Sequence, residues 1–309
     1  MATVGGVVDT MVIGGTGYVG RQVCDVLSGL GHDVLAVGRD PAKAPPGLPF
    51  APLDQPDALE GLLTAVRPRV VVNAAGGVWE VSDAQMLGAN VALVERLLTA
   101  LVRAARRPCL VHLGSAHEYG GAPHGTSTHE STPTNPRTTY GLAKLRSTRL
   151  VCAAFDGGLL AGTVLRLSNV LGPAAPRSSL LGAVVRRLRE ALATGDTARL
   201  PLDAPLAYRD FVDARDVASA VASAAARPAG RAVNIGGGTP VRIRRVMERL
   251  IEISGAPAEI VERTGGRRAR DNGDWQRLDL TTAAHALDWA PRHTLTDSLD
   301  WAWSAGQAP

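Results

Sequence analysis

The chain has 309 residues, 45% of them hydrophobic and 20% charged, which is the balance of a folded globular protein rather than a disordered one. Its formal net charge is only +4, and no dense Lys/Arg block is interleaved with aromatics, so nucleic acid is excluded as the expected partner. Three scattered cysteines, Cys24, Cys109 and Cys152, fit neither a disulfide framework nor a zinc site, and no uncharged apolar run approaches the ~20 residues that span a bilayer; a cytoplasmic protein with no metal and no membrane partner is expected.

Residues 9–13 read as a short buried strand, and Gly14-Gly15-Thr16-Gly17-Tyr18-Val19-Gly20 follows at once. Val23, Val26, Leu27 and Leu30 then recur at helical spacing, and residues 33–37 give the next strand. Strand, glycine turn, helix and strand within about 30 residues make a βαβ crossover. The alternation continues with a helix over 58–66, an apolar strand over 69–73, a long helix over 83–105, a strand over 109–113, a helix over 137–154 and a strand over 160–167. This predicts the α/β class, a doubly wound parallel (Rossmann) sheet. After Gly172-Pro173 the pattern loosens into an Arg-rich helix (180–192), an Ala-rich helix (213–226), a returning strand (232–235) and a helix (244–253) ahead of Trp-bearing segments. The expected organisation is a dinucleotide-binding domain over 1–168, with 205–236 returning to it, and a smaller, interleaved and discontinuous C-terminal substrate lobe over 169–309.

Gly14, Gly17 and Gly20 follow a strand and open a helix. Glycine lets the backbone approach a pyrophosphate, and the helix N-terminus offers unpaired N–H groups and a positive dipole end. The cofactor-binding turn therefore takes in Thr16, Tyr18 and Val19 as well. The second strand runs into Val37-Gly38-Arg39-Asp40. An NAD enzyme normally places a carboxylate at that strand end. Gly38 has none, and the Arg39 guanidinium suits a 2′-phosphate, so NADP (NADPH) is expected over NAD. A one-residue shift would put Asp40 in the acid's place.

Tyr140-Gly141-Leu142-Ala143-Lys144 sets a tyrosine and a lysine four residues apart on one helical face. A tyrosine with its reference pKa of about 10 is a poor proton donor or acceptor at neutral pH, and a neighbouring ammonium favours the tyrosinate. Of the 33 basic side chains only Lys43 and Lys144 are lysines, so a lysine at this spacing stands out against an arginine-rich background.

The GxxGxxG spacing, the YxxxK helix and the strand end Val111-His112-Leu113-Gly114-Ser115-Ala116-His117-Glu118-Tyr119-Gly120 resemble the extended short-chain dehydrogenase/reductases, the NAD-dependent epimerase/dehydratase family. The resemblance runs from Val12 to about Leu299. It implies Ser115, Tyr140 and Lys144 as catalytic residues, with Lys144 also holding the cofactor's ribose. Asp54 would meet the adenine, and Ala74 and Ala75 would form the small-residue strand end beneath the cofactor. Asn90 matches an asparagine of the family's fourth helix. Asn169 and Arg209 would meet the diphosphate of a nucleotide sugar, with Arg268 or Arg270 as a second clamp. The family's dehydratases carry an Asp-Glu pair after their Ser/Thr; here Ala116 and His117 stand there, which disfavours dehydration. His117 has two readings, a proton-transfer residue or a residue lining the pocket, whereas His124 and His129 read as solvated.

The resemblance implies an NADPH-dependent ketoreductase acting on a keto group, C4 in the leading reading, of a dTDP-, GDP- or UDP-linked 6-deoxyhexose, in a homodimer. Tyr140 would be the general acid. The alternatives are a nucleotide-sugar epimerase that retains NAD, a non-catalytic dinucleotide sensor, or a reductase of a non-nucleotide ketone.

Overall fold

The computed structural model describes residues 8–53, 58–77, 82–263 and 273–305; Asp54, Arg268 and Arg270 lie outside them. Apolar runs without a polar face form strands covered on both sides. In chain order the first half holds β1 (Thr10–Ile13), α1 (Tyr18–Gly29), β2 (Val34–Gly38), β3 (Phe50–Pro52), α2 (Ala58–Val66), β4 (Val70–Asn73), α3 (Asp83–Leu87), α4 (Leu93–Arg103), β5 (Cys109–Ser115), α5 (Thr139–Asp156) and β6 (Gly162–Leu167). The second half holds β7 (Asn169–Leu171), α6 (Leu180–Thr194), β8 (Ala198–Leu202), β9 (Tyr208–Asp213), α7 (Ala214–Ala226), β10 (Ala232–Ile235), β11 (Pro240–Arg242), α8 (Ile243–Ser254), β12 (Ala258–Glu262), α9 (Thr281–Leu287) and α10 (Leu295–Ser304).

Seven strands pair in parallel in the order β10-β6-β5-β4-β1-β2-β3. The order reverses between β1 and β4, and a crevice opens at the carboxyl ends of strands at such a switch point. One face of the sheet packs Val23 and Leu27 of α1, Val217 and Val221 of α7, and Leu287 of α9. Alanines at 218, 220 and 224 let α7 lie close against its neighbours. The other face packs Leu59 and Leu63 of α2, Leu97 and Leu101 of α4, and Val151 of α5.

Two strips of sheet build the second lobe. β7, β9 and β11 form one, in the order β11-β9-β7, and β8 pairs with β12 in the other. Leu188, Leu200, Met247, Leu250 and Trp303 fill the core between them and α6, α8 and α10.

The long helix expected over 83–105 runs on to Arg103, and a π turn at Gly88–Ala92 joins α3 to α4. By length and composition, 21 residues holding an 18-residue window of mean hydropathy 1.3, it matches a membrane span. Its apolar side nevertheless faces the sheet: Val94, Leu97 and Leu101 are all buried there.

Candidate active site

The glycine turn is shaped by close approaches. Gly14 has φ +82, and a Cβ on it would lie 2.6 Å from the Ala75 nitrogen; a Cβ on Gly20 would lie 2.1 Å from the Gly14 carbonyl. The ends of β1 and β4 thereby touch, with Ala74 and Ala75 against Gly14. α1 begins without a side-chain cap and without an acid in its first turn, so its leading N–H groups face the crevice uncountered by a carboxylate. Tyr18 turns its side chain away from the turn. Its hydroxyl donates to the carbonyls of Val170 and Gly172, each at 3.3 Å, and ties the glycine loop to the second lobe.

At the end of β2, a Cβ on Gly38 would sit 2.6 Å from Thr16 Oγ1, so any side chain there has to displace Thr16. Arg39 next to it is exposed. Asp40 accepts the Ala42 N–H at 3.0 Å and pairs with Lys43 at 3.6 Å, while Arg21 donates to the Lys43 carbonyl at 2.7 Å. Arg39 thus follows the strand end directly, Arg21 and Lys43 meet at the next turn, and the nearby acid is committed to that turn.

Across the switch point β5 ends at Ser115. Ser115 Oγ accepts the His117 N–H at 3.2 Å, and Glu118 Oε1 accepts the Ser115 N–H at 2.8 Å, a reciprocal capping box around one tight turn. Thr138 caps α5 by accepting the Gly141 N–H at 3.0 Å. A Cβ on Gly141 would lie 2.6 Å from the His117 carbonyl, so this glycine lets the helix press against the turn. Together these contacts place Tyr140 beside the Ser115 hydroxyl, and the His117 ring stands edge-on to Tyr140 with centroids 5.6 Å apart.

Lys144 is buried one turn deeper, and its Nζ donates to the Leu113 carbonyl at 2.8 Å. This departs from the expected acidified phenol. Burial pushes Tyr140 up to about 12, with the Ser115 hydrogen bond pulling the other way and Glu118 adding to the rise. Burial pulls Lys144 down to about 8, against the favourable charge of Glu118.

Beside Lys144 lies a polar cradle above a floor without a side chain. Asn90, in the π turn, donates to the carbonyls of Gly77 and Met86, both at 2.9 Å, and its Oδ1 is buried with no partner among the described residues. A Cβ on Gly76 would lie 2.7 Å from that oxygen and 3.3 Å from Lys144 Nζ. The acceptor of Asn90 beside the donors of Lys144 suits ribose hydroxyls, and the uncapped N-terminus of α1 suits a pyrophosphate, the two ends of a dinucleotide.

Sequence reasoning missed the pair beneath it. Asn73 donates to His112 Nδ1 at 3.0 Å while its own Oδ1 accepts the Ala75 N–H at 3.2 Å, and burial pulls His112 down to about 3, so the ring is neutral. Two polar residues at matching places in neighbouring apolar strands were the available signal.

The two residues expected at the diphosphate grip their own lobe. Asn169 donates to the Asp210 carbonyl at 2.8 Å and to Gln276 Oε1 at 2.6 Å. Arg209 donates to the carbonyls of Tyr208 and Gly273 at 2.8 and 3.0 Å. His124 and His129, expected to be solvated, are exposed but engaged. His124 lies 4.3 Å from the Trp275 ring and His129 pairs with Asp279 at 3.5 Å, because the 121–130 loop is laced to the 273–279 segment.

The model of the NAD dependent epimerase/dehydratase family matches residues 10–236. The chain belongs to that family. It is thus an NAD(P)-dependent enzyme of the extended short-chain dehydrogenase/reductase type. Family members similar to it include the dTDP-6-deoxy-L-talose 4-dehydrogenase (NAD(P)(+)) of Kitasatospora kifunensis, 44% identical over 300 residues, which are 95% of this chain and 94% of that one. The GDP-6-deoxy-D-mannose reductase of Pseudomonas aeruginosa is 27% identical over 310 residues, 94% of this chain and 96% of that one. The UDP-glucose 4-epimerase of Thermotoga maritima, solved with UDP-glucose, superposes with a TM-score of 0.85 over 97% of this chain and 98% of that one, at 24% identity.

Proposed function

We propose that this enzyme is an NADPH-dependent ketoreductase that reduces the C4 ketone of a nucleotide-diphosphate-activated 6-deoxyhexose, with Tyr140 as general acid. The observation that carries the reading is the Ser115–Tyr140 hydroxyl pair at the end of β5, one helical turn from a buried lysine and across the switch point from the glycine turn. Oxidation of a 6-deoxyhexose at C4 and reduction of the 4-ketone are one equilibrium, so likeness to a 6-deoxytalose 4-dehydrogenase supports this chemistry. The reductase relative shares the 6-deoxyhexose and the reductive direction in its name.

Bound NADPH supplies the hydride. The chain's own residues do the rest. Ser115 and Tyr140 hold the ketone oxygen between two hydroxyls, and Tyr140 delivers the proton as that oxygen gains charge. Lys144, with one hydrogen on Leu113, has two donors left for ribose hydroxyls, and Asn90 Oδ1 accepts beside it. A turn of Ala116 and His117 holds no acid/base carboxylate pair for eliminating water.

Preference for NADPH rests on the end of β2. The ribose carboxylate of an NAD site would have to displace Thr16 at Gly38, and Arg39 follows that position directly, with Arg21 and Lys43 meeting at the next turn. Asn169 and Arg209 line the substrate side, their positions set by the bonds to Asp210, Tyr208, Gly273 and Gln276.

The partner for the outer face of α5 is a second copy. Leu87 and Leu142 are 44% and 56% exposed, beside an apolar groove of about 640 Å³ that also includes Leu145, Leu150 and Ala153.

A panel of dTDP-, GDP- and UDP-linked keto sugars, each assayed for consumption of NADPH against NADH, tests the reading. Oxidation of NADPH by a 4-keto-6-deoxy sugar is expected. Purified protein that carries a tightly held NAD and interconverts C4 epimers without net oxidation would replace it with the epimerase.

A further inference from the structure

The turn after Ser115 contains a carboxylate that the motif reading passes over. Glu118 is 0% exposed, and both of its carboxylate oxygens are hydrogen-bonded. Oε1 accepts the Ser115 N–H at 2.8 Å and the Thr148 hydroxyl at 2.9 Å; Oε2 accepts Arg166 Nε at 2.8 Å. Arg166, on β6, also donates to the Tyr119 hydroxyl at 2.9 Å, and that hydroxyl donates to Asn234 Oδ1 on β10 at 2.8 Å. The chain of bonds therefore runs along the sheet's carboxyl end from Ser115 to the edge strand. A Cβ on Gly114 would lie 2.7 Å from Glu118 Oε1, so the strand is trimmed to admit the carboxylate.

A buried carboxylate is costly unless paired, and a hydrophobic residue in its place would often be as stable. Retaining an ion pair immediately beneath the site points to a use for it. We propose that Glu118, locked by Arg166, is a positioning residue: it fixes the main chain of Ser115, and with it the hydroxyl that faces Tyr140, and it supplies the negative charge opposite Lys144. The proposal rests on the ketoreductase reading for its catalytic consequence, though not for the anchoring of Ser115.

The surroundings leave Glu118 as the charge that matters. β5 presents neutral His112 and the Ser115 hydroxyl, the turn presents His117, the π turn presents the Asn90 amide, and β6 presents Arg166, which is already bound to Glu118. Glu118 favours the charged form of Lys144 and disfavours that of Tyr140. Thr148, which bonds the same carboxylate, lies one turn along α5 from Lys144. Removing the charge while keeping the shape therefore makes both groups lose their protons at lower pH.

The test compares Glu118→Gln, the charge-balanced Glu118→Gln/Arg166→Met and the control Thr148→Val with wild type. For ketone reduction, both Glu118 variants are expected to bind NADPH as wild type does, to lose at least tenfold in kcat, and to show the alkaline limb of kcat/KM about one pH unit lower. The double variant guards against a fold lost to an unpaired Arg166. Thr148→Val, which leaves the charge in place, is expected to keep the wild-type limb. A kcat within twofold of wild type with an unmoved limb overturns the proposal, as does an equal shift in Thr148→Val.

Hydrogen exchange over residues 113–120 needs no substrate and separates the two readings. Wild-type protein that reduces no keto sugar overturns the functional reading. Faster exchange in Glu118→Ala supports the anchoring role even then, and unchanged exchange overturns it.

Discussion

Tyr140 lies beside the Ser115 hydroxyl, which pulls its pKa down against burial, while Lys144, on the same helical face as Tyr140, reaches past it to the Leu113 carbonyl 2.8 Å away. The lysine therefore has two places to act: the ribose side of the crevice, through its remaining donors, and the proton balance of the phenol, through its charge. A phenol held at about 12 by burial stays protonated throughout the physiological range, which suits a donor to a developing alkoxide.

The titration of Lys144 fixes the pH dependence of reduction. Its ammonium is held down to about 8 by burial, so it loses its charge as pH rises through that value. We expect kcat/KM for ketone reduction to be level below pH 8 and to fall above it. Steady-state rates with NADPH between pH 6 and 10 check this; a profile flat to pH 10 contradicts it.

The same shift has a stability consequence of opposite appeal. A lysine with a folded pKa of about 8 and an unfolded one near 10.5 binds its proton less tightly when folded, so it destabilises the fold below pH 8 and this penalty fades as pH rises toward 10.5. Lys144→Met should therefore be inactive yet melt higher than wild type at pH 7, with the gap narrowing between pH 8 and 10.5. Thermal melts at pH 7 and 10 measure it; a gap that widens with pH would be the wrong sign.

Glycines in the crevice and on the surface should respond oppositely to alanine. Gly20→Ala forces a Cβ to within 2.1 Å of backbone, and Gly14→Ala adds a left-handed φ, so each should cost about 1–3 kcal/mol or more and weaken NADPH binding. Gly61→Ala, in α2 with open space around it, should stabilise by roughly 0.4–1 kcal/mol. Urea titrations of the three variants give the comparison.

Cofactor choice should turn on Arg39 more than on Gly38. A charge-assisted bond to a phosphate contributes about 1.5–3 kcal/mol, so Arg39→Ala should lower kcat/KM for NADPH by about 10–100-fold and leave that for NADH nearly unchanged. Gly38→Asp alone should not create an NAD enzyme, since its Cβ meets Thr16 at 2.6 Å. Paired kinetics with the two cofactors decide both points.

The sheet and its crevice were legible because their information is local. Apart from β3, whose three residues Phe50–Pro52 are too few to carry a pattern, the first-half strands are largely apolar runs, the crossovers have helical periods, and the glycine turn stands where both meet. The second lobe was less so. β8 pairs with β12 through Ala198 and Ala258, and short strands half exposed to solvent carry little pattern of their own. At the site, four-residue spacing correctly puts Tyr140 and Lys144 on one face, but it says nothing of depth, and depth is what turns Lys144 toward β5. Glu118 reads as an ordinary polar turn residue because Thr148 and Arg166, which give it meaning, lie 30 and 48 residues away. The π turn at Asn90 shifts the helical phase between α3 and α4, but the five residues of α3 are too few to show that shift in the pattern.

The most direct test of Tyr140 as the proton donor is a single-turnover reduction of a dTDP-linked 4-keto-6-deoxyhexose by NADPH-loaded enzyme, wild type against Tyr140→Phe. General acid catalysis contributes about 10²–10⁴-fold, so the variant should bind cofactor and sugar with near-wild-type affinity and transfer hydride slower by that factor. Hydride transfer at the wild-type rate in Tyr140→Phe would contradict the account.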